Sequence, residues 1–212
     1  MMLSAKTEKF LSGRRPNEKQ QEFFDAHADV WDEINRNDPK KLDYIIGLLE
    51  LNGDETILDV GTGTGVMIPY YLETLKEGSV TALDYSKRMI EKASSKYPPS
   101  AKLRYVVSDV YKLPSMNGFD VAVCYSCFPH FPDPLRALVT ISETLKKGGR
   151  LMIAHSSSRD HINNVHSHGG EEISNDYLPE IGIMSELFVE SGLETEFTRD
   201  DDEYYIIIGS KS

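Results

Sequence analysis

The stretch that most constrains the fold of this chain reads ILDVGTGTG, from Ile57 to Gly65. A short apolar run leads here into glycines at alternate positions. Glycine allows a tight turn and lets backbone N–H groups approach a ligand closely. The Gly-Lys-Ser/Thr of a phosphate loop is absent, and Val66 stands where a dinucleotide fingerprint would have its third glycine. The pattern predicts a buried strand, a nucleotide-binding turn and a helix, in that order.

Apolar patterning on both sides of this turn alternates between strand and helix periods. Strands are predicted at 56–60, 80–83, 103–107, 121–124, 150–154, 194–198 and 203–208, and helices at 64–75, 86–95, 134–145 and 183–191. Strands that alternate with helices indicate an α/β fold with a parallel sheet covered on both faces. The last two strands are joined by a short acidic turn, so they must be antiparallel.

Three regions follow from these patterns. Residues 1–16 are polar and are expected to form a flexible arm with room for a short helix. Residues 17–53 are expected to form a helical cap, with one helix at 17–34 and a second that begins at Asp38-Pro39. The remaining residues, 54–212, form the predicted main domain, with a histidine-rich insertion at about 155–182.

Composition narrows the classes of partner. The 212 residues carry a formal net charge of −11 and their cations are dispersed, which argues against a nucleic-acid substrate. No apolar run is long enough to cross a bilayer, and the first ten residues lack the apolar core of a signal peptide. The low cysteine count, two, indicates a reducing compartment, so we expect a cytoplasmic protein. We also expect a monomer or homodimer that acts on a small molecule.

Two acids accompany the glycines. Asp59 precedes them by two positions, and Asp84 ends the next predicted strand, 25 residues after Asp59. A carboxylate at a strand end can accept hydrogen bonds from both hydroxyls of a ribose. The combination favours a nucleoside-containing ligand at this edge of the sheet.

These residues resemble the acid-x-Gly-x-Gly-x-Gly loop of the class I S-adenosylmethionine-dependent methyltransferases. The resemblance implies a Rossmann-like, doubly wound, seven-stranded and mostly parallel sheet whose last strand is antiparallel, with an N-terminal helical cap. It also implies S-adenosylmethionine as the cofactor. The residues in the family's cofactor-binding places are Asp59, Gly61, Thr62, Gly63, Gly65, Asp84, Tyr85, Met89, Asp109, Val110, Tyr125 and Ser126.

The resemblance also implies a role for several of these residues. Asp84 would bind the ribose hydroxyls, with Tyr85 beside the adenine and Met89 packed on it. Asp109 would meet the adenine amino group, and Tyr125 would touch the cofactor near the methyl-transfer site, together with the serine that follows it.

The cap is similar to that of the type 11 branch, which includes quinone-biosynthesis methyltransferases. The similarity lies in the stretch QQEFFDAHADVWDEI. In that branch such helices close over the cofactor and shape the substrate pocket, so Phe24, His27 and Trp31 are candidate pocket residues. Alternatively, the aromatic side chains simply anchor the helix to the core.

Four of the six histidines fall between 155 and 168, after the fifth predicted strand. Three interpretations remain open. The first is substrate recognition, with His155 or His166 as general base and a helix face that also presents Arg159 and Asn163. The second is a divalent-metal site, and the third is a solvated insertion without a chemical role. Candidate ligands for the metal are His155, His161, His166 and His168, joined by Asp176 or Glu171.

His130, after the fourth predicted strand, is a further candidate for the general base. The function that these features favour is transfer of a methyl group from S-adenosylmethionine to a small acceptor. Two alternatives are a non-catalytic protein that binds S-adenosylmethionine or a metal, and a nicotinamide-dependent oxidoreductase. The glycine spacing disfavours the oxidoreductase.

Overall fold

The computed structural model describes residues 3–114 and 118–212, and these residues contain one seven-stranded sheet. The strands are β1 (Thr56–Val60), β2 (Ser79–Asp84), β3 (Leu103–Val107), β4 (Phe119–Tyr125), β5 (Leu145–His155), β6 (Leu193–Asp200) and β7 (Tyr205–Lys211). Their order is β3-β2-β1-β4-β5-β7-β6. The first five strands are parallel, and β7 runs antiparallel to both β5 and β6. The predicted fold class is confirmed.

Helices cover both faces of this sheet. They are α1 (Ala5–Gly13), α2 (Gln20–His27), α3 (Trp31–Ile34), α4 (Pro39–Gly47), α5 (Ile68–Thr74), α6 (Lys87–Lys96), α7 (Pro134–Thr144), α8 (Arg159–Ser167) and α9 (Ile181–Glu190), with 3-10 turns at Val110–Lys112 and Phe128–His130. Buried side chains of α1, α7 and α9 pack on one face, and those of α4, α5 and α6 on the other. The central parallel strands β1, β2 and β4 are buried on both sides, which explains why their sequences read as near-continuous apolar runs.

The predicted cap helix at 17–34 is divided in two. Residues Ala28–Val30 form a turn between α2 and α3, so the single helix was a wrong prediction. The physical reason lies in the apolar spacing: Phe24 and Ala28 are buried, but Val30 and Ile34 are exposed. One continuous helix would not keep these side chains on a single apolar face.

The helix predicted at 64–75 begins only at Ile68. Gly65 has a positive φ of 86°, which an α-helix does not allow, and Pro69 occupies the first turn. Residues 64–67 therefore continue the glycine turn. This leaves a longer stretch of non-helical backbone beside the ligand edge of the sheet than the sequence pattern indicated.

The expected flexible arm is a packed element. Phe10 of α1 is 5% exposed and meets the ring of Tyr177 edge-on, with centroids 5.4 Å apart. The Thr7 hydroxyl donates a hydrogen bond of 2.7 Å to the Glu186 carboxylate on α9. Because the arm is mostly polar, its sequence did not predict these few contacts, which join it to the main domain.

Candidate active site at the carboxyl edge of the sheet

The glycine turn joins β1 to the start of α5 and is stabilised by hydrogen bonds to the Asp59 side chain. That carboxylate accepts hydrogen bonds from the Thr62 hydroxyl at 2.6 Å and from the Tyr71 hydroxyl at 3.2 Å. Asp59 is buried, and burial raises its pKa to about 6. The Thr62 backbone N–H also donates to the Leu83 carbonyl at 2.9 Å, which ties the turn to β2. These contacts fix the shape of the turn.

Gly61 is required by both its backbone conformation and its surroundings. Its φ is +66°, and a Cβ at this position would lie 2.6 Å from the Cys127 Cβ and 2.9 Å from its Sγ. Cys127 itself is held by a hydrogen bond from its thiol to the Val60 carbonyl at 3.1 Å. The turn after β1 and the segment after β4 are thus in contact at Gly61.

We expect Gly61→Ala to lower the free energy of unfolding by about 2–5 kcal/mol, because a positive φ and steric overlap both oppose the new methyl group. Gly148→Ala is the matched control, since Gly148 has a φ of +74° but no atom within 4 Å of its added Cβ. It should cost only about 1–2 kcal/mol. Urea unfolding measures the loss of unfolding free energy in both variants. Equal losses would show that Cys127 moves aside at little energetic cost.

Asp84 lies at the carboxyl end of β2, facing the glycine turn. One of its oxygens accepts from the Gly63 N–H at 2.8 Å, and the other accepts from the Ser86 N–H at 2.8 Å. Burial raises the pKa of Asp84 to about 6, although these two hydrogen bonds oppose the rise. Each carboxylate oxygen can accept a further hydrogen bond, so the donor set of a ribose diol fits here.

A carboxylate ligand at Asp84 predicts a specific pH dependence of cofactor binding. Ligand hydroxyls that donate to the carboxylate favour its ionised form, so binding lowers the pKa of Asp84 from about 6. Affinity for S-adenosylmethionine is therefore expected to be full above pH 6 and to fall about tenfold per pH unit below it. Calorimetric titrations at pH 5, 6 and 7 measure this, and the profile should flatten in Asp84→Asn. A flat profile in the unmodified protein would exclude this carboxylate as a ligand.

The cap lies over the glycine turn. The Trp31 indole nitrogen is the nearest atom to a Cβ built on Gly63, at 3.9 Å. The next cap residue, Asp32, accepts from the Thr64 hydroxyl at 2.5 Å and pairs with Lys96 at 2.6 Å. Trp31, expected at the pocket, is therefore near the turn. His27 is half-buried farther back, with its Nδ1 2.7 Å from the Phe23 carbonyl.

Tyr85 and Met89, expected beside an adenine, pack against the same cap. Met89 is 1% exposed and clusters with Phe24 and Ala28. The Tyr85 ring meets Phe24 at 6.2 Å, and its hydroxyl donates to the Gln20 side-chain carbonyl at 3.2 Å. The alternative that the aromatic side chains of the cap anchor it to the core is thus realised for Phe24.

The ends of β3 and β4 bring the other expected cofactor residues to this edge. Asp109 caps the 3-10 turn by accepting from the Tyr111 N–H at 3.1 Å, and Val110 is buried. The Tyr125 hydroxyl lies 2.6 Å from the Asn37 side-chain oxygen and 2.7 Å from the Ser156 hydroxyl. Ser126 is exposed with a φ of +52°, a conformation that non-glycine residues seldom adopt outside functional sites.

His130 forms a buried pair with Asp176. Its Nδ1 lies 2.7 Å from the Asp176 Oδ2, and the two side chains are 14% and 11% exposed. The same oxygen accepts from the Gln20 amide at 2.7 Å. In the tautomer that donates from Nδ1 to this carboxylate, Nε2 keeps a lone pair. This arrangement orients an imidazole as a proton acceptor.

Sequence reasoning did not find this pair. Asp176 was considered only as a metal ligand, and Gln20 was not considered at all. Asp176 is 46 residues from His130, so no local spacing links them. The only available signal was that both segments follow strands at the carboxyl edge of the sheet.

The surroundings of the other two candidate bases differ from those of His130. The His166 Nδ1 lies 2.6 Å from the Asp176 backbone carbonyl, and burial lowers its pKa to about 4. His155 is 3% exposed, and burial lowers its pKa to about 3. Both imidazoles are therefore neutral at neutral pH and weakly basic. His166 still lies next to His130, with ring centroids 5.0 Å apart, whereas His155 is enclosed beside Tyr205.

The divalent-metal site, one of the three interpretations of the histidine segment, is not formed by the described residues. Across residues 3–114 and 118–212, no three His, Cys, Asp or Glu side chains are placed to hold a metal ion. His161 is exposed on α8 and His168 is exposed directly after it, with its Nδ1 2.8 Å from the Asn164 carbonyl. His155 is inside the sheet and His166 is turned toward Asp176. Closeness of the four histidines in sequence is not closeness in space.

Arg159 and Asn163, expected to contact substrate, are engaged within the protein. Both ends of the Asn163 amide bond the Leu178 backbone, at 2.7 and 3.0 Å. Arg159 pairs with Asp160 at 3.1 Å and lies 3.4 Å from Asp200. The Asn163 bonds fasten α8 to the segment that carries Asp176, and the Arg159 contact with Asp200 joins α8 to the end of β6.

Comparison with known proteins bears on the whole site. Residues 58–153 match the type 11 family model described as "Methyltransferase domain". The chain is 31% identical over 148 residues to a demethylmenaquinone methyltransferase of Chlamydia muridarum, which covers 68% of this chain and 64% of that protein. The chain therefore carries a type 11 methyltransferase domain over residues 58–153.

A second relative is the ubiquinone biosynthesis O-methyltransferase of Vibrio vulnificus, 29% identical over 149 residues, or 66% of this chain and 62% of that protein. This methyltransferase chain thus spans under two thirds of the length of both relatives. Neither of the two alternative functions gains support from these matches. In the described part of the chain, the helices are too short or too polar to cross a membrane.

Solved structures show the same fold. A SAM-dependent methyltransferase from Aquifex aeolicus superposes with a TM-score of 0.67 at 18% identity, covering 89% of this chain and 98% of that one. The [4+2]-cyclase SpnF superposes with a TM-score of 0.71, also at 18% identity, covering 92% and 98%. The fold is therefore shared by proteins of different named activity, and the reaction must be argued from the side chains.

Proposed function

We propose that this methyltransferase transfers the methyl group of S-adenosylmethionine to a hydroxyl of a small ring compound, with His130 as the general base. The observation that carries the proposal is the placement of the His130–Asp176 pair at the same sheet edge as the glycine turn. The two are linked through Phe24, whose ring lies 5.0 Å from that of His130 and 6.2 Å from that of Tyr85, the residue after Asp84. A nucleoside-binding carboxylate and an oriented imidazole at one edge suit group transfer followed by deprotonation.

The residues fit the cofactor. Asp84 has accepting capacity for a ribose diol, and the turn from Gly61 to Gly65 offers backbone with positive φ and no side chain at alternate positions. Asp109 has a second carboxylate oxygen available for an amino group beside Val110. S-adenosylmethionine supplies, when bound, a methyl group already activated on a sulfonium sulfur. The protein therefore needs to supply orientation and a proton acceptor, and no protein nucleophile.

His130 supplies the proton acceptor in this proposal. Its Nδ1–H donates to Asp176, which fixes the tautomer and stabilises the imidazolium that forms when Nε2 takes the proton of the acceptor hydroxyl. Gln20 donates to the same carboxylate and keeps it from rotating. The proton then leaves to solvent from Nε2, and the ring returns to its starting state.

The surroundings of His130 favour a flat apolar acceptor. Phe24 meets the imidazole edge-on at 5.0 Å, and Trp31 meets Phe24 at 5.4 Å. Aromatic side chains beside the imidazole suit a small ring held by stacking. The relative from Vibrio vulnificus is named for O-methylation in ubiquinone biosynthesis, which is consistent with a ring hydroxyl as acceptor.

The test is a transfer assay with methyl-labelled S-adenosylmethionine and a panel of acceptors: phenols and catechols, aliphatic carboxylates, and activated ring carbons. We expect label to appear on a phenolic oxygen and to depend on His130. Label on carbon or carboxylate would contradict the proposed acceptor while keeping the methyl transfer. No label on any class, from protein that binds the cofactor, would contradict the enzymatic function.

A further inference from the structure

Arg14 is a buried cation that the proposed reaction does not use directly. It is 7% exposed and lies beside the rings of Phe10 and Tyr177, with its guanidinium carbon 5.8 and 5.5 Å from their centroids. Burial lowers its pKa, and the nearby Asp176 charge opposes that change. Removing a guanidinium from water is costly, so a buried arginine needs several hydrogen-bond acceptors to be retained.

The acceptors of Arg14 are backbone carbonyls of two separate segments. One guanidinium nitrogen donates to the Asn175 carbonyl at 3.0 Å. The other donates to the Phe131 carbonyl at 2.9 Å and to the Pro129 carbonyl. The planar guanidinium has fixed donor directions, so it sets the relative position of the backbones that it joins.

These carbonyls flank the two members of the proposed base. Pro129 and Phe131 stand on either side of His130, and Asn175 directly precedes Asp176. The two segments are far apart in sequence, and the 2.7 Å contact from His130 to Asp176 is the bond that requires their alignment. Arg14 thus holds the backbone on both sides of that bond from a third segment, the expected flexible arm.

We propose that Arg14 is a positioning residue that fixes the His130–Asp176 geometry, so that the N-terminal arm is part of the catalytic apparatus. The inference rests on the proposed function for its kinetic consequence and on the structure alone for its geometric one. Small displacements of a catalytic group are costly: about 1 Å can reduce a rate about 100-fold. Arg14 acts through His130 and is not expected to touch the cofactor or the acceptor.

The experiment compares Arg14→Ala and Arg14→Lys with Arg15→Ala. Arg15 is the matched control, because it is exposed and its hydrogen bonds reach only Ser12 and Arg14. We expect kcat to fall about 100-fold in Arg14→Ala and about 10-fold in Arg14→Lys, whose single ammonium cannot span three carbonyls. The KM for S-adenosylmethionine should stay within about twofold, and added guanidinium ion should partly restore kcat in Arg14→Ala.

A second measurement is independent of activity. Nitrogen-15 NMR of the His130 ring reports which nitrogen carries the proton. We expect a fixed Nδ1–H tautomer in the unmodified protein and in Arg15→Ala, and a mixture of tautomers in Arg14→Lys, which retains the charge and stem if Arg14→Ala does not fold. An unchanged tautomer with unchanged kcat in the Arg14 variants would overturn the inference. A tautomer change in a protein that shows no methyl transfer would instead refute only the proposed reaction.

Discussion

Replacing Asp84 with alanine is expected to weaken S-adenosylmethionine binding by at least about 100-fold. Hydrogen bonds to a charged partner contribute about 1.5–3 kcal/mol each, and a ribose diol would make two of them. Because about 1.4 kcal/mol corresponds to a factor of ten in affinity, two such bonds give at least about 100-fold. The substitution also frees the Gly63 N–H, which Asp84 now holds at 2.8 Å, so the turn loses part of its ordering.

Two variants make this result interpretable. Asp84→Asn keeps the size of the side chain and removes its charge, so a similar loss would identify the carboxylate as the ligand. Asp109→Ala removes one expected contact at the neighbouring strand end and should cost about half as much free energy, about 1.5–3 kcal/mol, or roughly 10–100-fold in affinity. Urea unfolding of each variant checks that the fold persists. Undiminished binding in folded Asp84→Ala would refute the assignment of this edge to the cofactor.

Replacing His130 with alanine is expected to lower kcat about 10²–10⁴-fold while leaving S-adenosylmethionine affinity unchanged. A positioned general base contributes about that factor, and the cofactor already carries the activated group. Asp176→Asn should give a comparable loss, because an amide no longer stabilises the imidazolium that forms at His130. The double variant should be little worse than either single one, since residues that act as a unit are not additive.

His161→Ala is the control for the histidine substitution. His161 is exposed on α8, so its removal should leave kcat unchanged. Single-turnover kinetics with saturating cofactor measure the chemical step in each variant. Full activity in folded His130→Ala would place the base elsewhere or show that the acceptor needs none, and a loss confined to cofactor affinity would show that His130 serves binding.

The sheet was predictable because its cause is local in sequence. The strands β1, β2 and β4 each read as short apolar runs, and the glycines after β1 carry a backbone requirement that few folds explain. Asp84 followed from its place at a strand end, because parallel strands bring their carboxyl ends to one edge. These features depend on residue type and short-range spacing, and the structure contains all of them.

The base and its support were less predictable because they depend on contacts between distant segments. His130, Asp176 and Arg14 come from three parts of the chain, and nothing in their local patterns links them. The four clustered histidines gave a misleading signal because residues that are close in sequence need not be close in space. On a helix, side chains about 100° apart per residue diverge, so His161 and His166 face different directions although they are close in sequence.

Titration of the purified protein with S-adenosylmethionine, S-adenosylhomocysteine and NAD under identical conditions tests the central claim most directly. We expect one site per chain for the two sulfur compounds, with affinity at least about 100-fold lower in Asp84→Asn, and no saturable heat with NAD. Saturable NAD binding with none for S-adenosylmethionine would contradict the assignment of the glycine turn and Asp84 to this cofactor.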